Sequence, residues 1–267
     1  MVENKNEKLD TILKELKSFV IAFSGGVDSS FLLYRAHHLR IKNIIGVTIR
    51  TPYIPEIELE EASEFARFHS INHRIIDLSF PEVIRNNPVD RCYLCKKTLF
   101  SKLLDFAGKN GFEYVIDGTN ADDTNVYRPG LRALQELGIR SPLLEAGFTK
   151  KDIREMLRQE DLPISNKPAM ACLLTRIPYN TTIREDILKM IEQAEKFLLD
   201  KGFPGTRVRI HGDLARIECQ PGYFEKIIQN PDKELIINKL KKIGFRYVSL
   251  DLEGYRSGSA DKEIEHL

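Results

Sequence analysis

Strand-like and helix-like segments alternate along the first half of the chain, and this alternation limits the fold more than any other feature of the sequence. Apolar runs rich in β-branched residues predict four strands, at Ser18–Phe23, Ile44–Ile49, His73–Leu78 and Tyr114–Asp117. Helical periodicity predicts the helices Asp28–Leu39, Glu56–Phe68 and Lys96–Lys109. This order favours an α/β fold with a doubly wound parallel sheet. Its ligands are expected beyond the carboxyl ends of the strands.

The pattern changes after residue 150, which predicts a second, smaller α+β domain. A capped helix is expected from Thr149, an irregular junction at 165–180 and another helix at Arg184–Lys201. Further predicted elements are strands near Arg207–Ile210 and Leu214–Cys219, two helical segments within Tyr223–Ile243, and a strand near Tyr247–Leu252. We therefore place the domains at residues 1–168 and 169–267.

Composition narrows the classes of function. The chain has 40 Lys and Arg residues and 39 Asp and Glu residues, so its net charge is close to zero and gives no support to a large nucleic-acid surface. The sequence has no apolar run long enough to span a bilayer, and residues 1–17 form a charged amphipathic stretch. We expect a cytoplasmic protein, in which four cysteines are reduced thiols, metal ligands or catalytic groups rather than disulfides.

A glycine-rich loop follows the first predicted strand directly. It consists of Ser24, Gly25, Gly26, Val27, Asp28, Ser29 and Ser30. Paired glycines let the backbone turn tightly with its N–H groups inward, and the start of the next helix favours an anion, so a phosphate fits there. The spacing is neither that of a Walker A loop nor that of a dinucleotide fingerprint. A plain turn, with Asp28 capping the helix, is the alternative.

The S-G-G-x-D-S-S loop in this position resembles the PP-loop of ATP pyrophosphatases, in the adenine nucleotide alpha hydrolase-like superfamily. The resemblance implies a Rossmann-like domain that cleaves ATP to PPi and forms an adenylate. It also implies that the loop, including Ser24, Ser29 and Ser30, binds the β- and γ-phosphates. Asp28 would help to place Mg²⁺.

A second polar turn follows the fourth predicted strand, in residues 117–123. Its position is the nucleotide edge of the sheet, where Asp123 is a candidate Mg²⁺ ligand and small residues such as Gly118 admit adenine beside Asn120. A polar turn with a helix cap is the alternative.

A narrower resemblance runs over nearly the whole chain. It is carried by Gly118-Thr119-Asn120, Asp122-Asp123, Tyr127-Arg128-Pro129-Gly130, Lys167-Pro168, Ala171-Cys172, Arg176, Arg207-Val208-Arg209 and the segment 254–259. Together these resemble the LarE family, ATP-dependent sulfurtransferases that make the pyridinium-3,5-bisthiocarboxylic acid mononucleotide of the nickel-pincer cofactor. The expected substrate is therefore a mononucleotide whose carboxylate is adenylated and then thiolated.

The source of sulfur depends on three cysteines. In sacrificial LarE proteins, the cysteine matching Cys172 forms a thioester with the substrate and then loses its sulfur. The pair Cys92 and Cys95 adds two thiolates, and three cysteine ligands suffice for an iron–sulfur cluster with one open iron, so we favour a catalytic 4Fe–4S enzyme. Incidental thiols, a redox disulfide and zinc stay open as alternatives. Cys219, in a predicted strand, is expected to be a buried or edge thiol.

Substrate recognition is assigned to the smaller domain. Arg207 and Arg209 alternate along a strand and face one side, and with Arg256 they would suit a phosphate monoester. By resemblance, Arg176, Glu195 and Glu218 join this pocket. Expected partners are the mononucleotide, a sulfide or sulfur donor and further copies of the chain, with no membrane and no nucleic acid. A PP-loop tRNA thiolase and a nucleotide-sensing or sulfur-carrier binding protein are the alternatives.

Overall fold

The computed structural model describes residues 2–125, 129–168, 170–229 and 231–256. Two compact units divide the chain, Met1–Val83 with Asp90–Ala169, and Ile84–Val89 with Met170–Leu267. Tyr127, Arg128 and the segment 257–259, singled out from the sequence, lie outside the described residues. Among the described helices, none is long and apolar enough to cross a membrane.

The first unit is built on a parallel sheet of four strands. These are β1 (Ser18–Ala22), β2 (Asn43–Arg50), β3 (His73–Asp77) and β4 (Tyr114–Ile116), in the spatial order β3-β2-β1-β4. Each begins and ends within one residue of its predicted bounds. The order of the strands reverses between β1 and β4, which makes their carboxyl ends the ligand-binding edge.

Helices cover both faces of this sheet, because alternate strand residues point to opposite sides. Their bounds are α1 (Val2–Leu16), α2 (Val27–His38), α3 (Glu56–Phe68), α4 (Arg91–Lys109), α5 (Pro129–Glu136), α6 (Pro142–Ala146) and α7 (Lys150–Gln159). Phe19 and Ile21 of β1 lie in a core that includes residues of α1, α2, α6 and α7, whereas Val20 lies in a core with α4 and α5. The doubly wound parallel sheet predicted from the sequence is therefore confirmed.

Three helices differ from the sequence-based expectation. Helix α4 begins at Arg91 rather than near Lys96, because the carbonyl of Asp90 already accepts hydrogen bonds from the backbone N–H groups of Tyr93 and Leu94. Helices α5 and α6 are each eight residues or shorter, too brief for their periodicity to predict them. The cap at Thr149 is confirmed, since its hydroxyl accepts a hydrogen bond from the Asp152 N–H.

The second unit contains a three-stranded sheet with helices. Its elements are α8 (Glu185–Asp200), β5 (Arg207–His211), β6 (Leu214–Glu218), α9 (Phe224–Ile228), α10 (Asp232–Ile243) and β7 (Tyr247–Leu250). Strands β5 and β6 pair antiparallel, and β7 lies parallel to β6. The segment 84–89 joins this unit through Asn87, whose buried side-chain amide donates to the carbonyls of Ile177 and Pro178 at 2.9 Å each.

Candidate functional site

The loop between β1 and α2 is fixed by hydrogen bonds among its own residues. The Ser24 backbone N–H donates to Ser29 Oγ at 3.3 Å, and Ser29 Oγ donates to the Gly26 carbonyl at 3.2 Å. The Gly26 N–H donates to Ser24 Oγ at 3.3 Å, and Ser30 is fully buried behind the loop. This arrangement holds the loop at the start of α2, where the helix dipole favours an anion.

Two glycines of the nucleotide edge are required by their surroundings. Gly25 has φ +67°, and a Cβ there would lie 2.9 Å from the Cβ of Ala62 in α3. A Cβ on Gly118, after β4, would lie 2.9 Å from the backbone nitrogen of Ser29. The turn after β4 therefore packs directly on the first turn of α2, and any side chain at either glycine would push the neighbouring segments apart.

Acidic side chains from both loops meet at this edge. Burial raises the pKa of Asp28 to about 6, and the neighbouring carboxylate of Asp123 adds to the rise. The positive charges of Lys150 and Arg154 and a hydrogen bond from Asn120 act in the opposite direction and lower this pKa. Asp123 is itself buried, and its Oδ1 lies 3.6 Å from Lys150 Nζ. Two neighbouring carboxylates are hard oxygen donors, so this pair of residues fits Mg²⁺.

The turn after β4 is held by short polar contacts. The Asn120 N–H donates to Asp123 Oδ2 at 3.2 Å, and the Asp122 N–H donates to Asn120 Oδ1 at 3.0 Å. Asp117, at the end of the strand, accepts hydrogen bonds from the hydroxyls of Thr119 and Ser141 at 2.5 and 2.6 Å. The structure thus brings Gly118, Asn120 and Asp123 to the loop residues with which the sequence grouped them.

Positively charged side chains also lie at this edge of the sheet. Lys167 Nζ donates to the carbonyl of Gly25 at 2.7 Å and pairs with Glu61 at 2.6 Å. Arg154 in α7 donates to the carbonyls of Ser165 and Lys167, which fixes the backbone from which Lys167 projects. The Lys167-Pro168 pair contributes to the resemblance, but its contact with a loop 142 residues away has no local sequence signal.

Cys92 and Cys95 lie near the start of α4. Their spacing of three residues places both on one side of the helix. Cys92 is exposed, whereas Cys95 is partly buried with its Sγ 3.2 Å from the hydroxyl of Tyr53. Within the described ranges, no group of three or more His, Cys, Asp or Glu side chains is arranged to hold a metal ion.

Cys172 lies in the second unit, directly before a short 3₁₀ helix, Leu173–Arg176. The residue as a whole is partly buried. Its carbonyl accepts hydrogen bonds from the Thr175 N–H at 3.2 Å, from Thr175 Oγ1 at 3.0 Å and from Arg176 Nη1 at 3.0 Å. Arg176 also forms a two-pronged ion pair with Glu195, with both nitrogen–oxygen distances 2.9 Å.

The arginines of β5 are buried and engaged with neighbouring groups. Arg209 Nε donates to Glu218 Oε1 at 2.6 Å, and Arg216 donates to the same oxygen at 3.1 Å. Arg207 lies 5.5 Å from the ring centroid of Tyr255 and donates to the sulfur of Met170 at 3.6 Å. Arg207, Arg209 and Glu218 thus share one face of the small sheet.

Arg256 and Cys219 complete the set singled out from the sequence in this unit. Arg256 forms a two-pronged pair with Glu253 on the surface. A role for it in substrate binding stays a prediction. Cys219 is fully buried, which confirms the expectation of a buried or edge thiol, and burial raises the pKa of its thiol to about 11.

Comparison with known proteins gives near full-length matches. A pyridinium-3,5-bisthiocarboxylic acid mononucleotide synthase of Lactiplantibacillus plantarum (strain ATCC BAA-793 / NCIMB 8826 / WCFS1) is 38% identical over 257 residues, 95% of this chain and 92% of the relative. An uncharacterized protein of Synechocystis sp. (strain ATCC 27184 / PCC 6803 / Kazusa) is 37% identical over 99% of both chains.

A more remote match covers part of the chain. A component of the glutamine-hydrolyzing GMP synthase of Thermoplasma volcanium (strain ATCC 51530 / DSM 4299 / JCM 9571 / NBRC 15438 / GSS1) is 28% identical over 60% of this chain and 56% of its own. The chain matches no protein-family model.

Proposed function

We propose a function from one premise: the chain belongs to the LarE family of PP-loop sulfurtransferases. The observation that carries the proposal is the 38% identity, over 95% of the chain, to a pyridinium-3,5-bisthiocarboxylic acid mononucleotide synthase. We infer that the chain activates a carboxylate of pyridinium-3,5-biscarboxylic acid mononucleotide with ATP and replaces its oxygen by sulfur, for synthesis of the nickel-pincer cofactor.

In the first half-reaction, a carboxylate oxygen of the substrate attacks the α-phosphorus of ATP and PPi leaves. The loop of Ser24, Gly25 and Gly26 would bind the departing phosphates, supported by Ser29 and Ser30 and the dipole of α2. Asp28 and Asp123 would hold Mg²⁺, which offsets the charge that develops on the phosphates. Lys150 and Lys167 supply further positive charge at the same edge.

In the second half-reaction, a sulfur nucleophile attacks the carbonyl carbon of the acyl adenylate and AMP leaves. If Cys172 is the nucleophile, its thiolate forms a thioester. Removal of the Cα proton then breaks the Cβ–Sγ bond, which releases the thiocarboxylate and leaves dehydroalanine at position 172. In that case each chain supplies one sulfur atom.

We favour a catalytic source of sulfur over this sacrificial one. The thiolates of Cys92, Cys95 and Cys172 would hold a 4Fe–4S cluster, and the pairing of two cysteines on one turn of α4 suits such ligation. When bound, the cluster would supply an open iron that carries sulfide. Iron and acid-labile sulfide, measured on protein purified without oxygen, separate this source from a sacrificial Cys172.

Recognition of the substrate phosphate is proposed for Arg207, Arg209 and Arg256, with Glu218 near the pyridinium ring. A face of the small sheet that already buries guanidinium groups supports this assignment. We place the reaction in the cytoplasm, which supplies ATP and reduced thiols, and we expect the enzyme to act as a homo-oligomer.

Release of PPi tests the proposed function. We expect release in the presence of ATP and Mg²⁺ to depend on pyridinium-3,5-biscarboxylic acid mononucleotide. ATP binding without substrate-dependent release of PPi would favour a nucleotide-sensing protein instead, and release that depends on tRNA would favour a tRNA thiolase.

A further inference from the structure

The guanidinium of Arg176 is committed to contacts inside the second unit. Its side chain is 1% exposed, and its Nε and Nη2 donate to the two carboxylate oxygens of Glu195 at 2.9 Å each. Its Nη1 lies 2.7 Å from the carbonyl of Ala171, 3.0 Å from that of Cys172 and 2.8 Å from Thr175 Oγ1. A substrate contact would therefore have to displace one of these partners.

One acceptor of the hydrogen bonds from Arg176 is the backbone carbonyl of Cys172. Its carbonyl accepts from both Thr175 and Arg176. Two bonds to Thr175 and one to Arg176 restrict the rotation of this peptide group. Because the Cα–Cβ bond direction follows from the backbone, they also restrict the direction in which the thiol points.

Glu195, the partner of Arg176, is held by a helix and a strand. Glu195 lies in α8 and is 11% exposed, and its Oε1 also accepts a hydrogen bond from the backbone N–H of Val208 in β5 at 2.9 Å. A helix and a strand therefore hold the carboxylate, the carboxylate holds Arg176, and Arg176 holds Cys172. An irregular segment gains a fixed position through buried charge rather than through secondary structure.

We propose that Arg176 and Glu195 are positioning residues that fix Cys172 for sulfur transfer, rather than contacts to the substrate. The proposal rests on the proposed function in one respect, that Cys172 handles sulfur. The planar fork of arginine is required because it donates to the carboxylate and to the backbone carbonyls together, whereas the ammonium of lysine acts as a point charge. The proposal thus separates Arg176 and Glu195 from Arg207 and Arg209, with which the family resemblance grouped them.

Steady-state kinetics distinguishes positioning from binding. For Arg176→Lys and Glu195→Gln we expect kcat for thiocarboxylate formation to fall about 10- to 100-fold, the range for loss of a charged hydrogen bond, with KM for the mononucleotide within about threefold of wild type. Arg184→Lys is the matched control, since Arg184 forms an exposed pair with Asp186 in the same unit. It should leave both constants unchanged.

Hydrogen exchange supplies a readout that needs neither substrate nor turnover. In Arg176→Lys we expect backbone amides of residues 170–177 to exchange about tenfold faster, with β5 and β6 as protected as in wild type. If the wild-type enzyme forms no thiocarboxylate, the proposed function fails while this exchange measurement still tests the positioning.

Thr175→Val is a second variant for the case in which Arg176→Lys disturbs the fold of the second unit. Thr175 Oγ1 contacts both the Cys172 carbonyl and Arg176, and valine keeps the shape of the side chain without the hydroxyl. If Arg176→Lys loosens β5 and β6 as well, Thr175→Val decides: a lower kcat at unchanged KM supports the proposal, and wild-type kinetics overturn it. A raised KM at unchanged kcat in Arg176→Lys, with exchange of residues 170–177 unaltered, would also overturn it.

Discussion

Two regions are held in place by different means: the nucleotide edge of the first unit, and the Cys172 segment, residues 170–177, of the second. At the nucleotide edge, glycines and the start of a helix shape the backbone, and bonds such as Ser24 to Ser29 span only a few residues. The Cys172 segment lacks long regular elements and depends on a buried ion pair between Arg176 and Glu195, 19 residues apart. The loop at the nucleotide edge is thus shaped mainly within one short motif, with a distant contact from Lys167, whereas the irregular segment that carries Cys172 depends on α8 and β5 for its position.

The sharpest test of this division replaces one residue in each region. Asp28→Ala should lower PPi release by about 10³-fold or more, because the proposed Mg²⁺ ligand at the phosphates is lost, and thiolation should fall with it. Cys172→Ala should abolish thiolation yet keep substrate-dependent PPi release within about threefold of wild type. The measurements are PPi by a coupled assay and thiocarboxylate by mass spectrometry. Continued thiolation by Cys172→Ala would remove Cys172 from the sulfur pathway.

The glycines test whether backbone geometry governs the nucleotide edge. Gly118→Ala should lower ATP affinity about 10- to 100-fold and destabilise the fold by about 1–3 kcal/mol, because the new Cβ meets the backbone of Ser29. Gly108→Ala in α4 is the matched control, since a Cβ there meets nothing within 4 Å, and it should stabilise the helix by about 0.5–1 kcal/mol. Calorimetric titration with ATP and thermal unfolding check both. Equal behaviour of the two variants would contradict the close approach.

Lys167 tests how much side chains contribute at the same edge. Lys167→Ala removes the hydrogen bond to the Gly25 carbonyl and a nearby positive charge, so PPi release should fall about tenfold. Lys151→Ala, at an exposed position of α7, is the control and should leave PPi release unchanged. A loss of stability without a change in PPi release would make Lys167 a structural clamp only.

The last expected effect is a pH dependence of stability that originates at Asp28. Its pKa is about 6 in the fold against a usual value of 3.8, so the folded protein binds more protons than the unfolded chain between these values. The contribution of Asp28 to stability is therefore present below pH 3.8 and is lost as the pH rises through 6, with a limit of about 3 kcal/mol. Asp28→Asn should gain stability relative to wild type over that window in urea unfolding without nucleotide. Parallel pH profiles for the two proteins would contradict a buried Asp28.

The sequence predicted the backbone of the nucleotide edge better than the side-chain contacts that hold it from distant parts of the chain. Strand bounds and the placement of Asp28, Asn120 and Asp123 at one edge of the sheet follow from local patterns and from the geometry of parallel sheets. The contact of Lys167 with Gly25 does not, because it joins residues 142 apart.

The second unit shows the same limit more strongly. The resemblance to the LarE family groups Arg176 and Glu195 with the substrate arginines, and the structure pairs these two side chains with each other. Their pairing depends on how α8 packs against the 3₁₀ turn, which no local pattern encodes. The start of α4 at Arg91 escapes prediction for a smaller reason: the carbonyl of Asp90 begins the helix without a side-chain cap.

The most direct test of the central claim is mass spectrometry of pyridinium-3,5-biscarboxylic acid mononucleotide after anaerobic incubation with the enzyme, ATP, Mg²⁺ and sulfide. The account predicts a product whose mass reflects replacement of carboxylate oxygen by sulfur, formed together with AMP and PPi and absent with Asp28→Ala. An unchanged substrate, under conditions in which the protein binds ATP, would contradict it.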